Sequence, residues 1–89
     1  MKHGYVKEEF LPAEDKIQLK FLENSTHYLS GDIAEDNVKK AIQWIMYENM
    51  CEYVKDKELK LYINSMGGEL YQAFALIDIM RTSQYPIVT

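Results

Sequence analysis

Two adjacent glycines, Gly67 and Gly68, lie at the boundary between two apolar runs. The run before them, residues 59–63, is typical of a strand, and the run after them, residues 70–83, is typical of a helix. A glycine pair permits backbone angles that a Cβ atom forbids, and it lets amides near a helix N-terminus approach an anion or a transition-state oxyanion closely. A plain tight turn is the commoner explanation of an isolated Gly-Gly pair.

Ser65 and Cys51 are the candidate nucleophiles, and neither predicts a covalent mechanism. Ser65 precedes the glycines, where a serine usually caps the end of a strand, and no general base stands near it in the sequence. Cys51 falls on a predicted helix, where we interpret it as a half-buried small apolar residue rather than as a reactive thiol. As the single cysteine it cannot build an internal disulfide framework, so a reducing compartment fits best.

The sequence gives little indication of a metal-binding site or a phosphate-binding loop. His3 and His27 have no second ligand at a metal-binding spacing such as i, i+4, so we predict no metal site and no cofactor. The adjacent acids Glu35 and Asp36 begin a predicted helix, where they complement the helix dipole better than they form a catalytic dyad. No lysine follows the glycines as a phosphate-binding P-loop requires.

The elements that must position these residues follow from the periodicity of apolar side chains. Alternation over two residues predicts strands, and recurrence every three to four residues predicts helices. Residues 1–15 show no clear period and are interpreted as a loose N-terminal segment, while residues 16–89 form the domain. The predicted elements are strands at residues 16–21 and 28–33, a helix from residue 35, a strand at 59–63, a helix at 70–83 and a strand from residue 86, with turns at 23–26 and 55–58.

Strands separated by helices favour an α/β fold whose sheet is mostly parallel, with right-handed crossovers. The predicted helix at residues 70–83 is apolar on nearly every side, with Gln72, Asp78 and Arg81 as its few polar members, so we expect it to be buried. In a chain of 89 residues of which 47% are apolar, part of this apolar surface is expected to meet a partner. Without a partner, we expect the helix at residues 70–83 to lack cover on one side and the chain to be poorly soluble.

The string YINSMGG at residues 62–68 resembles a motif of the proteolytic subunit of the Clp protease family. The helix that follows carries Asp78 and Met80, and the next strand begins at a proline and ends at Thr89, as in that family. Upstream, YLSGDI at residues 28–33 and the helix after it resemble the family's strand, glycine, acidic turn and first long helix. The resemblance covers residues 28–89, and its most specific part is Asn-Ser-x-Gly-Gly.

This resemblance implies a crotonase-like fold of ββα units, heptameric rings that stack, and peptide hydrolysis by a Ser-His-Asp triad. It implies that Gly68 donates its amide to the oxyanion while Gly67 supports the turn. By the same match, Glu69 and Leu70 offer backbone groups to an extended peptide substrate. Tyr62 matches an aromatic residue that lines the family's docking groove for a partner AAA+ unfoldase.

The sequence departs from the family pattern at three points. Met66 replaces a proline, which loosens the turn because proline would fix φ. Glu69 is bulkier than the usual residue and places a charge near the substrate path. Thr89 matches a threonine that precedes the family's nucleophilic serine, and all three triad residues come later. We therefore expect the N-terminal part of a Clp-like serine endopeptidase, as a truncated gene, a split product or a cropped fragment, that is inactive alone.

Two alternatives keep the fold and change the function. One is a non-catalytic ring or scaffold subunit that retains Gly68 without chemistry. The other is a different crotonase-type acyl-transfer enzyme, such as an acyl-thioester hydratase, which also uses a helix N-terminal amide for an oxyanion. The string at residues 62–68 favours the peptidase branch over the hydratases.

Charge and hydropathy limit the expected partners and location. The net charge is −4 and no basic stripe is present, so neither nucleic acid nor an anionic membrane is an expected partner. No apolar run reaches the roughly 18 residues of a membrane span, and the first residues lack an apolar signal core. We expect a soluble cytoplasmic protein, in the host cytoplasm if its source is viral; the short N-terminus and Met66 favour a phage-type relative.

Overall fold

Helices and strands alternate along residues 10–89, the part of the chain that the computed structural model describes. The predicted boundary between residues 15 and 16 falls inside the first helix, and residues 1–9 of the predicted loose segment lie outside the described part. In chain order the elements are α1 (Ala13–Glu23), β1 (Thr26–Ser30), α2 (Glu35–Met50), β2 (Leu59–Asn64), α3 (Leu70–Thr82) and β3 (Ile87–Val88).

The three strands form one sheet in the order β1-β2-β3, and both pairings are parallel. His27 pairs with Leu61 and Tyr28 with Tyr62, so the two longer strands end side by side. Parallel neighbours need a crossover, and α2 and α3 supply the two crossovers. The predicted α/β class with a mostly parallel sheet is confirmed.

The predicted strand at residues 16–21 is wrong, because this segment lies inside α1. The alternation of Ile17, Leu19 and Phe21 misled the prediction, since residues four apart, such as Ile17 and Phe21, also share one face of a helix. Pro12 immediately before the helix and two acids in its first turn favour helix over strand. No residue of α1 is buried, so the alternation of apolar and polar residues in this segment does not correspond to a half-buried strand.

The core lies between one face of the sheet and the helix α2, with a contribution from α3. Alternate residues of the strands point into it, and residues at helical spacing on α2 meet them. Trp44 closes the core at the side of β1, where its ring stacks on His27. The buried apolar residues are Leu29, Val38, Ala41, Trp44, Ile45, Leu59, Leu61, Leu76 and Tyr85.

Residues 10–89 cover only one side of the second predicted helix, as expected for the chain without a partner, although its apolar pattern predicts burial on every side. In α3 only Leu76 is buried, whereas Tyr71 and Phe74 are 85% and 52% exposed. The described part of the chain places the sheet and α2 against one side of α3 and leaves its other side open. Several apolar side chains of α3 therefore form an exposed surface of this chain and not part of its core.

A buried ion pair joins the end of α2 to the turn before β2. The Lys57 ammonium lies 2.7 Å from a carboxylate oxygen of Glu48, whose side chain is almost fully buried. The hydrogen bond to Glu48 raises the pKa of Lys57, and the ammonium also lies 4.6 Å from the centre of the Tyr85 ring. The prediction that residues 55–58 form a solvated turn is wrong for Lys57, because this contact draws it against the core.

Candidate functional site

The segment between β2 and α3 contains five residues, 65–69, and its backbone requires glycine twice. The φ angles of Gly67 and Gly68 are +115° and +154°, in the region that side chains with a Cβ rarely adopt. A non-glycine residue at either position would strain the turn. The sequence expectation of an unusual backbone at this pair is confirmed.

Gly68 also makes a close approach that Gly67 does not make. A Cβ atom added to Gly68 would lie 2.6 Å from the amide nitrogen of Ile33 and closer still to its carbonyl oxygen. A Cβ atom added to Gly67 would meet nothing within 4 Å. The two glycines therefore have different physical roles: Gly67 sets the turn, and Gly68 lets two backbones pack together.

The contact between Gly68 and Ile33 is an isolated parallel bridge. The Ile33 N–H donates to the Gly67 carbonyl at 2.8 Å, and the Glu69 N–H donates to the Ile33 carbonyl at 2.7 Å. Since both bonds of Ile33 go to the neighbours of Gly68, the N–H of Gly68 itself faces the opposite side. Among residues 10–89 it donates to no other group, so it remains available to a ligand.

This free N–H lies beside the positive end of a helix dipole. Glu69 is the N-cap residue of α3, and its side chain makes no capping hydrogen bond. The N–H of Leu70, at the first helical position, likewise has no intrahelical acceptor. An anion or a developing oxyanion placed beside Gly68 would meet these donors in one small region, which is the arrangement that acyl-transfer chemistry uses.

Ser65 stabilises the turn by local hydrogen bonds. Its hydroxyl oxygen accepts from the Gly67 N–H at 3.1 Å, and the hydroxyl lies 3.3 Å from the Gly67 carbonyl, to which it can donate. These contacts are those of a serine turn, so the interpretation of Ser65 as a cap is confirmed. No histidine among residues 10–89 reaches it, and the geometry provides no nucleophile–base pair there.

His27 packs at the edge of the core and not beside this turn. Its ring stacks on that of Trp44 with the centroids 5.3 Å apart, and it is half-buried in β1. Burial, with a smaller effect of the Lys40 charge, lowers the pKa of His27 below its usual value. His3 lies outside the described residues.

Two further sequence predictions concern the ends of α2. Cys51 is exposed, so its predicted half-burial is wrong: α2 ends at Met50, which leaves Cys51 outside the last helical turn. Glu35 and Asp36 occupy the first turn of α2, as the dipole interpretation predicts. Within residues 10–89 no three His, Cys, Asp or Glu side chains come together as metal ligands.

Tyr62 lies on the open face of the sheet, where it is 57% exposed. Its partner in the parallel register is Tyr28, which is 47% exposed, and the Tyr28 hydroxyl accepts from the side-chain amide of Asn64 at 3.2 Å. Sequence reasoning missed Tyr28 as a member of this surface. The predicted strand begins at Tyr28, whereas β1 begins at Thr26, so the sequence did not show that Tyr28 and Tyr62 each lie two residues before the end of a strand.

Comparisons with known proteins relate the chain to one protein family and one fold. A family model described as Clp protease matches residues 9–89. The chain is similar to the ATP-dependent Clp protease proteolytic subunit 1 of Rhodopirellula baltica, with 29% identity over 68 residues, which are 76% of this chain and 29% of that protein. Its fold matches the crystal structure of the ClpP protease catalytic domain from Plasmodium falciparum with a TM-score of 0.76 and 24% identity, over 96% of this chain and 43% of that one. The chain thus spans less than half the length of either relative.

Proposed function

Because the chain belongs to the Clp protease family, we propose that it forms part of a serine-type endopeptidase in which Gly68 donates its backbone N–H to the oxyanion. The orientation of the Gly68 amide is the observation that carries this proposal. The bridge to Ile33 engages both neighbours of Gly68 and leaves its own N–H free at the start of α3. A second donor and the nucleophile complete the site in this proposal.

In peptide hydrolysis the attacking oxygen converts the scissile carbonyl into a tetrahedral oxyanion. A preorganised N–H that points at this oxygen stabilises the transition state more than the ground state. Removal of one such donor lowers kcat by about 10²- to 10³-fold in acyl-transfer enzymes. Gly68 is suited to this role because its φ of +154° and its contact with Ile33 fix the direction of the N–H before substrate binds.

The catalytic triad of this proposal comes from outside residues 10–89. Ser65 is occupied in its turn and His27 is stacked in the core, so neither serves as nucleophile or base. The proposal therefore includes an inactive 89-residue chain that becomes part of a competent site only within a larger protein.

The substrate in this proposal is an extended peptide that lies beside the start of α3. The Glu69 N–H is already bound to Ile33, and the Glu69 carbonyl accepts from Ala73 within the helix. Glu69 can therefore offer only the second lone pair of that carbonyl. The Leu70 N–H is the freer backbone group for pairing with a peptide.

The proposed partners are further copies of the protein in heptameric rings and an AAA+ unfoldase, and the proposed location is the cytoplasm. The open face of α3 supports assembly, because an apolar surface of this kind is typical of an interface. The exposed pair of Tyr28 and Tyr62 supports a docking groove for a partner with apolar side chains. Within residues 10–89 no helix is long and apolar enough to cross a membrane.

A fluorogenic peptide assay tests the origin of the nucleophile. The 89-residue chain should show no hydrolysis above the rate of buffer, and Ser65→Ala should change nothing. Hydrolysis by the chain that disappears in Ser65→Ala would overturn the proposal that the triad lies elsewhere. Peptidase activity that is absent even from the longest natural protein containing this chain would overturn the endopeptidase proposal itself.

A non-catalytic ring subunit is the second candidate function, and one observation favours it. The open face of α3 provides an assembly surface, which a ring subunit needs whether or not it carries out chemistry. Light scattering of the chain together with a catalytically active Clp proteolytic subunit distinguishes the two functions. A stable mixed ring in which this chain contributes no active site would favour the scaffold function.

A further inference from the structure

The first strand, β1, has one edge without a partner strand in the sheet of residues 10–89. It is the end strand of the order β1-β2-β3, so it pairs only with β2. The Lys60 N–H donates to the Ser25 carbonyl, and the Gly31 N–H donates to the Asn64 carbonyl. The odd-numbered residues of this stretch therefore direct their backbone groups towards β2, and the N–H and carbonyl of Tyr28 face the unpaired edge. Among residues 10–89 neither of these two groups has a hydrogen-bond partner.

A polar cavity of about 330 Å³ lies along this edge. The helix α1 contributes Gln18 to its lining, α2 contributes Asn37 and Lys40, and residues 27–30 of β1 complete it. The Asn37 side-chain amide donates to the Ser30 carbonyl at 3.0 Å, so one carbonyl of the unpaired edge is already satisfied. The rest of the edge opens into a space that another chain segment can enter.

The cavity carries a positive charge that the described part of the chain leaves uncompensated. Lys40 is exposed, and among residues 10–89 it forms no ion pair. No Asp or Glu is among the residues that line the cavity. Burial and, to a smaller extent, the Lys40 charge lower the pKa of His27, whose ring stacks on Trp44 of α2. The Lys40 ammonium therefore acts on the side of the sheet that faces α2, where a carboxylate would compensate it.

A segment that pairs with this edge would meet different surroundings on its two faces, because side chains alternate along a strand. A residue opposite Tyr28 would point to the open face of the sheet, where the Tyr28 ring is 47% exposed. The residues on either side of it would point towards α2, where Lys40 and His27 line the cavity. The segment that fits best has an apolar residue flanked by acidic residues.

We propose that the unpaired edge of β1 binds an extended acidic segment of a partner protein as an additional strand. The backbone groups of Tyr28 provide the pairing, and Lys40 selects an acidic side chain. A second copy of this chain fits less well, because its own edge strand, THYLS, carries no acid and would bring another Lys40 to the interface. No residue of the turn at 65–69 lines the cavity, so this inference does not depend on the proposed role of Gly68.

A matched pair of peptides tests the proposal on the 89-residue chain. The peptides are acetyl-Thr-Glu-Val-Glu-Thr-amide and the same peptide with glutamine in place of both glutamates. Bound peptide should slow hydrogen exchange at the Tyr28 amide, while the amides of His27 and Leu29, which pair with β2, should keep their rates. The glutamate peptide should bind about 1.4- to 5-fold more tightly in an NMR titration, and added NaCl should reduce this ratio because salt screens an exposed ion pair.

Lys40→Gln should remove most of the preference for the glutamate peptide. Lys39→Gln is the matched control, because Lys39 is an exposed neighbour on α2 that does not line the cavity. An equal loss of the preference in both variants would overturn the role of Lys40, since the effect would then be one of net charge. Equal binding of the two peptides to the unmodified chain would overturn the acidic selectivity.

Two further outcomes would overturn the strand pairing at β1. One is a peptide that binds without slowing exchange at the Tyr28 amide, and the other is the failure of both peptides to bind. Protection of the Tyr28 amide that rises with protein concentration in the absence of peptide would identify a second copy as the occupant and overturn the acidic partner. None of these results would affect the proposed function of the Gly68 amide, which is measured at a different residue.

Discussion

Substitution of each glycine by alanine should separate the two roles of the Gly-Gly turn. Both substitutions strain the backbone, since both φ angles are in the region that favours glycine. Only Gly68→Ala also drives a Cβ atom against the backbone of Ile33. Backbone cannot move aside as the end of a flexible side chain can, so the bridge between the two segments must open.

The difference in stability between the two variants can be estimated from the structure. A residue held in a sparsely populated φ region costs about 1–3 kcal/mol, so we expect Gly67→Ala to destabilise the chain by about 2 kcal/mol. Gly68→Ala incurs a similar strain and in addition weakens the two hydrogen bonds of Ile33, each contributing about 1 kcal/mol. Its expected destabilisation is therefore about 4 kcal/mol.

Urea unfolding followed by the fluorescence of Trp44, the single tryptophan, measures this difference. With an m-value of about 1 kcal/mol per M for a chain of this size, the midpoint of Gly68→Ala should lie about 2 M below that of Gly67→Ala. Hydrogen exchange at the Glu69 amide should accelerate in Gly68→Ala more than in Gly67→Ala. Equal midpoints for the two variants would refute the argument that close backbone approach requires glycine at position 68.

Three other perturbations have defined outcomes. Because the pKa of His27 is lowered, the folded state disfavours the charged ring, so the stability that the neutral ring allows is complete above about pH 6.5 and is lost as the pH falls through the folded-state pKa. The midpoint of urea unfolding, measured as a function of pH, should therefore fall over this range, and His27→Phe should remove this pH dependence. Lys57→Met leaves the buried carboxylate of Glu48 without its ion-pair partner and should lower the free energy of unfolding, measured in urea, by about 3 kcal/mol. The double variant with Glu48→Gln should recover part of that stability, and losses of stability that simply add in the double variant would contradict a direct pair. Phe74→Ser, on the open face of α3, should reduce self-association by light scattering with little loss of stability, and a large loss would show that Phe74 is core.

The spacing of apolar residues predicted an element correctly where that spacing fits either a helix or a strand but not both. The spacing of Val38, Ala41 and Ile45 fits only a helix, and β2 has alternating buried leucines between a turn and a glycine pair. The glycine pair predicted a tight turn at a candidate site because the apolar runs on either side of it placed it between a strand and a helix. Residues 16–21 were ambiguous, since a short alternating run also satisfies i, i+4 contacts, and the capping signals before it decided for a helix.

Contacts between distant segments could not be predicted from local patterns. The pair of Glu48 and Lys57 forms because the chain turns back after α2, and no spacing rule joins a helix to the loop beyond its end. The free amide of Gly68 depends on the bridge to Ile33, which is 35 residues earlier and outside both strands. Which side of α3 stays open could not be predicted, because apolar composition alone does not distinguish a core from an interface.

Hydrogen exchange of three amides, those of Ile33, Gly68 and Glu69, tests the central claim most directly. In the free chain the bridge should protect the Ile33 and Glu69 amides, while the Gly68 amide exchanges rapidly because it has no acceptor among residues 10–89. Addition of an extended peptide should slow exchange at Gly68 and leave the other two rates unchanged. A Gly68 amide that is already protected in the free chain, or that no peptide protects, would contradict the account.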